Sequence, residues 1–258
     1  MNRRPAMFWA LLPLLPRLAA GQLALSLNLD HTRLLKHEPA SATVTVQNES
    51  DVPFVIRSAE EDPRARLRLM IRTGPDRYAA RLSDRPLVAE LALLPGERQA
   101  LRVEFTRWYD VAEPQGYDIW AVVDWNGVEY KSGLLHFEVL SGLPLKSVSR
   151  GLPGEADRAR RYALRYLARD GKERLFLCID EEDGLVNCGV FDLGPLVRAV
   201  EPQLEVDRLG TVRVAHLAAL DRYVTSVLKS WPDRVTLVDQ TVRTQRGEEV
   251  RPLAAETP

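Results

Sequence analysis

Leu23, Leu25, Leu27 and Leu29 fall on one face of an extended chain, while Ala24, Ser26, Asn28 and Asp30 fall on the other. Successive strand side chains point to opposite faces, so a period of two marks a half-buried strand. The same alternation predicts strands near residues 42–48, 66–73, 99–106, 117–124, 128–132 and 134–139. Turn signals separate them: Leu94-Pro95-Gly96-Glu97 precedes one strand, and Asn126-Gly127, a type I′ hairpin signal, joins two others. Short strands at this density, with no long amphipathic helical pattern, predict an antiparallel β-sandwich over residues 22–142.

The segment Ser141-Gly142-Leu143-Pro144 through Gly151-Leu152-Pro153-Gly154 is rich in Gly, Pro and Ser. It reads as an interdomain linker, residues 143–156, about which the two halves would fold independently. Beyond it, residues 161–169 and 172–179 flank Asp170-Gly171 as a second hairpin, and strands are expected near 185–192, 203–207, 211–217, 222–230 and 234–242. Residues 194–201 suit a short helical turn or a loop. Arg161-Tyr162 and Arg222-Tyr223 each open a strand followed by a turn, a pattern that hints at a propeller-like repeat. The length holds about two blades where a propeller needs four, so a small antiparallel meander over 157–245 is the better reading. The polar tail, 246–258, reads as loose.

Three phrases carry a resemblance. Thr43-Val44-Thr45-Val46-Gln47-Asn48-Glu49-Ser50, Leu93-Leu94-Pro95-Gly96-Glu97 and Gly116-Tyr117-Asp118-Ile119-Trp120-Ala121 resemble strand and turn phrases of bacterial extracytoplasmic immunoglobulin-like modules. Their order is similar to that of the intracellular proteinase inhibitor type of sandwich. The resemblance covers residues 22 to about 140 and implies a fold more firmly than an activity. The fold class expected is therefore all-β: an N-terminal immunoglobulin-like antiparallel sandwich followed by a second, smaller antiparallel β-rich domain. The cysteine pair of antibody domains is missing from 22–140.

Arg3 and Arg4 precede an apolar run from Ala6 to Leu15, and Ala19, Ala20 and Gly21 follow. Charged start, short apolar stretch and small residues are the layout of a secretory signal peptide, residues 1–21. The apolar run is half the length of a membrane-spanning helix and contains Pro13, so no stable membrane span is expected after cleavage. The expected location is secreted or periplasmic. A formal net charge of -1 provides no overall attraction for nucleic acid.

Cys178 and Cys188 lie ten positions apart, and symmetric pairing about Asp183 would set them opposite each other on a hairpin, within disulfide reach. An oxidising compartment favours that bond, and two buried free thiols are the alternative. The chain carries no GxSxG elbow, Walker loop or HExxH motif. His31 and His37 could ligate a metal beside Asp30 or Glu38, but two surface histidines in a turn-prone segment are the simpler reading; no metal and no cofactor is expected. The acidic run at residues 180–183 lacks the spacing of a calcium loop and reads as a solvated hairpin end. The arginines between Arg57 and Arg85 alternate with apolar residues and are interspersed with acids, as on a solvated strand face.

Phe105, Trp108, Tyr109, Tyr117, Trp120, Trp125 and Tyr130 crowd into one short stretch. Tyr117 shares parity with Ile119, Ala121 and Val123, whereas Trp120 has the opposite parity. A large ring on that face is either covered or binds something. Packing against the second domain is the expectation for Trp120, with a ligand platform as the alternative. Trp108, Trp120 and Trp125 are the candidate binding residues.

These readings describe an exported, non-enzymatic binding or envelope-structural protein with an unidentified protein or glycan partner. The alternatives are a proteinase inhibitor acting through the sandwich loop at 106–115 and a carbohydrate-binding protein. Export makes a direct prediction: the intact mass of the protein from its native host corresponds to a chain beginning near Gln22. A native protein retaining Met1 would contradict it.

Overall fold

The computed structural model describes residues 22–57, 66–244, 246–247 and 249–250. The proposed leader and the residues after 250 lie outside them. The first half contains β1 (Leu23–Leu29), β2 (Arg33–Leu35), β3 (Ala42–Asn48), β4 (Phe54–Ile56), β5 (Arg66–Gly74), β6 (Arg77–Tyr78), β7 (Leu91–Leu93), β8 (Arg98–Val103), β9 (Gly116–Trp125), β10 (Val128–Lys131) and β11 (Leu135–Leu140). The second contains β12 (Leu143–Leu152), β13 (Glu155–Arg169), β14 (Lys172–Glu181), β15 (Asn187–Pro195), β16 (Gln203–Val206), β17 (Thr211–Ala219), β18 (Arg222–Ser230), β19 (Val235–Thr244) and β20 (Glu249–Val250). The chain is nearly all β, and among the described residues there is no α-helix.

In the first half the sheets run β1-β3-β8 and β2-β11-β9-β5-β6, with β10 paired to β9 and a small β4-β7 ribbon. All pairings are antiparallel except β2 with β11. Alternation decides which residues face the shared core: Ala42, Val44 and Val46 of β3, Leu67, Leu69 and Ile71 of β5, and Tyr117, Ile119, Ala121 and Val123 of β9. Asn48 is also fully buried, and the desolvation of its amide is offset because its Nδ2 donates to the Val52 and Leu93 carbonyls and its Oδ1 accepts from the Ser50 amide. Asn126 and Gly127 have φ of 51° and 77°, as the expected type I′ turn requires. The strand expected over 99–106 ends earlier, because Phe105–Arg107 turn into a short 3₁₀ helix that buries Phe105.

The second half comprises two antiparallel sheets, β12-β13-β14-β15 and β16-β17-β18-β19-β20, facing each other across Tyr162, Leu164, Leu175, Leu177, Ile179, Leu204, Val212, Val214 and Leu228. Arg160, buried at 2 % exposure, ties one sheet to the other by donating to Ser230 Oγ, the Trp231 carbonyl and the Pro232 carbonyl. Residues 194–201 hold the end of β15 and a turn, and β20 extends the sheet edge into the tail expected to be loose.

The linker reading is corrected. Leu143–Leu152 is a strand paired along its length with β13, and the connection from β11 is only Ser141-Gly142. Pro144 is tolerated because β12 is an edge strand, and Pro153-Gly154, with Gly154 at φ +80°, is the β12–β13 turn. Edge strands and hairpin turns share the composition of a linker.

The other face of the β12–β15 sheet is apolar too. Ala163, Leu167, Phe176, Cys178 and Val190 form a cluster completed by Leu35 of β2, with Leu140 of β11 packed against it. Beside this cluster, Arg169 Nη2 donates to Glu38 Oε2 at 2.5 Å, at side-chain exposures of 2 % and 7 %. Glu38 Oε2 also accepts from the Leu35 amide at 2.7 Å, and Arg33 Nη1 donates to the Ala168 carbonyl at 2.9 Å. Gly142, at φ +66°, has no room for a side chain, since a Cβ would approach Leu35 Cδ1 to 2.4 Å.

Removing one member of a buried ion pair strands the other in the interior, at a cost of about 3–5 kcal/mol. Arg169→Met and Glu38→Leu should each destabilise the protein by that order in urea unfolding, and the double variant should lose much less than their combined loss. Additive losses would show that the two groups do not act as a pair.

Candidate functional site

The outer face of the larger first-half sheet is where exposed chemistry collects. Strand β5 presents Arg68, Met70 and Arg72 there, and β9 presents Asp118, Trp120 and Asp124, because the alternate positions of both strands are committed to the core. Register sets Met70 opposite Trp120 and Arg72 opposite Asp118, and on the far side His136 opposite Asp118. Asp118 is the hub. It accepts from Arg72 Nη2 at 2.7 Å through Oδ2 and lies 3.1 Å from His136 Nδ1 through Oδ1. Those hydrogen bonds, the one from Arg72 foremost, hold its carboxyl below the ordinary aspartate range. The His136 ring lies over Gly116, where a Cβ would come within 2.9 Å of it.

Trp120 is part-exposed beside this hub. Arg72 Cζ lies 5.8 Å from its ring centre, and Tyr78 meets it edge-on at 6.2 Å with an interplanar angle of 65°. The expected packing of Trp120 against the second half is corrected: its ring neighbours belong to the first half, because the second half docks at the β2–β11 end. Trp125 is corrected too. It is buried at 6 % exposure, 5.3 Å edge-on to Phe54, and belongs to the core. Its position after the Val122-Val123 pair gave the same parity as Val123, a signal that it faces inward. Trp108 packs half-buried against the same core. Of the three tryptophans, the structure therefore gathers only Trp120 with polar partners. Tyr78, Arg72, Asp118 and His136 were not singled out as site residues, and only cross-strand register, which sequence leaves open, brings them together.

The cysteine register is corrected. Cys178 lies opposite Val190, and Cys188 falls in a bulge between the Ile179–Gly189 and Asp180–Asn187 pairs. The bulge turns Cys188 toward the inter-sheet core while Cys178 faces the first half, so the two lie on opposite faces of the sheet and are not bonded to each other in this structure. Burial pushes the Cys178 thiol up to about 12, which disfavours the thiolate. Among the described residues no group of three or more His, Cys, Asp or Glu could hold a metal ion. His31 lies 4.0 Å from Asp170, and burial lowers its pKa and that of His37. Arg68 and Arg72 pair with Asp124 and Asp118 across strands, as expected of a solvated face.

No family model matches this chain, and no curated protein matches it. Among solved structures it is similar to Spo0M, a sporulation control protein from Bacillus subtilis, with a TM-score of 0.33 and 12 % identity over 88 % of this chain and 92 % of that one. That similarity is too low to transfer a fold family or a function.

The hub predicts a titration. Asp118 should titrate below the ordinary aspartate value in carboxyl-detected NMR, and Arg72→Gln should move it upward. Its depressed pKa means its contribution to stability is full above the ordinary carboxylate range and is lost as pH falls through the folded midpoint. An ordinary midpoint in both proteins would show that the hydrogen bonds are not held in solution.

Proposed function

We propose that the chain is an exported, non-enzymatic binding protein whose first half is an immunoglobulin-like sandwich and whose outer sheet face binds a glycan. The sandwich reading is supported by the strand order, by the parallel β2–β11 edge pair, and by Tyr117 at the start of β9, whose hydroxyl donates to the Glu113 carbonyl at 2.9 Å. A tyrosine tied back to upstream backbone in this way is a recurrent corner of such sandwiches. The second half is then a separate antiparallel domain with its own core, docked on the first.

The glycan reading rests on one observation: a part-exposed Trp120 ring on an outward strand face, braced by Tyr78 and Arg72 beside the Asp118–His136 pair. A sugar presents both an apolar ring face and hydroxyls. Trp120 suits the first, and the carboxylate, imidazole and guanidinium supply acceptors and donors for the second. The inhibitor alternative draws less support. In its candidate loop, Tyr109 and Val111 are buried and Thr106 Oγ1 accepts from the Ala40 amide, which holds the segment against the body.

On a glycan array, the protein lacking residues 1–21 should retain a defined subset of glycans. Trp120→Ala should weaken that binding by about tenfold or more, the scale of one lost stacking contact. Trp231→Ala, which removes a tryptophan of the second half, should leave it intact. An array with no retained glycan, or binding unaffected by Trp120→Ala, would overturn the reading.

A further inference from the structure

A concave site lies where the two halves meet, apart from the Trp120 face. It is a pocket of about 250 Å³ between the turn after β2 and the face of the β12–β15 sheet turned toward the first half. From the first half come Lys36 and His37, and from the second Arg161, Arg165 and Asp180. The cations converge for a structural reason. On β13, residues 161, 165 and 169 share the face turned toward the first half with Ala163 and Leu167, and β2 docks on that face through Leu35.

The charge is unbalanced. Among the described residues Asp180 is the only carboxylate in the lining, and it is already engaged, accepting from Asn187 Nδ2 at 3.0 Å and facing Arg161 at 3.7 Å. Arg165 donates to the backbone carbonyls of Ser141 and Gly142, which orient its guanidinium without neutralising it. The Lys36 ammonium has no hydrogen-bond or ion-pair partner among the described residues. His37 is held next to it at φ 63°, the third position of a turn closed by the Glu38 amide on the Leu35 carbonyl, where glycine or asparagine is the usual occupant. A side chain at a position that favours glycine is placed at a conformational cost, and here it is placed at the mouth of the pocket.

We infer that this pocket binds a compact oxyanion group, the chemistry shared by phosphate, sulfate and carboxylate, clamped by Lys36 from one half and by Arg161 and Arg165 from the other. Guanidinium and ammonium donors converging on a small concave space match the acceptors of such a group, and charge-assisted hydrogen bonds are the strong ones. The volume admits one anionic group with a small substituent, not an extended polyanion.

Isothermal titration of the full chain with inorganic phosphate, sulfate and succinate, at fixed ionic strength, tests this. At least one should bind saturably with one site per chain, and the three arms identify which oxyanion is preferred. Lys36→Ala, which removes a side chain without a partner among the described residues, and Arg161→Gln should each weaken that binding about tenfold, the equivalent of one charge-assisted hydrogen bond. Arg213→Gln, on the far sheet, should leave it unchanged. Absence of saturable binding by all three anions, or binding indifferent to Lys36→Ala, overturns the proposal. Trp120→Ala should not affect it, so this site and the outer face fail or succeed separately.

Discussion

The β12–β15 sheet has two apolar faces, and a sheet with two apolar faces needs two covers. The five-stranded sheet of the second half supplies one, and the β2 and β11 end of the first half supplies the other through Leu35 and Leu140. The Glu38–Arg169 pair sits beside that second cover. An apolar cluster of this size permits many sliding arrangements, whereas two opposite charges out of water permit few, since displacement breaks their hydrogen-bonded pairing. The pair adds a directional, charged contact to an interface otherwise made of apolar packing.

That docking point has consequences at both sites. Because the second half docks at the β2–β11 end, the described ring contacts of Trp120, with Tyr78 and Arg72, are made within the first half. The same docking brings Lys36 and His37 opposite Arg161 and Arg165. The docking contact is thus separate from the Trp120 ring contacts and assembles the cationic pocket.

Much of the strand content was legible because alternation is a local signal. The residues of β3 and β18 follow from parity and turn chemistry alone, and the two type I′ turns from Asn126-Gly127 and Asp170-Gly171. What failed depends on which strands are neighbours. The linker reading missed that Pro144 sits on an edge strand, where proline costs little. The cysteine register assumed a symmetric hairpin, and a bulge at Cys188 shifted it, with Gly189 at φ 150° absorbing the distortion. For Trp120, parity gave the face but could not say what lay over it. Its site residues come from β5, β6, β9 and β11, and no spacing along the chain encodes that convergence.

If the shared cluster and the buried pair join the halves as described, neither half has a complete surface without the other. Differential scanning calorimetry of the protein without residues 1–21 tests this most directly. The account predicts one transition, with calorimetric and van't Hoff enthalpies in agreement. Two resolved transitions, each insensitive to substitution at Arg169, would show that the halves are joined by the chain alone.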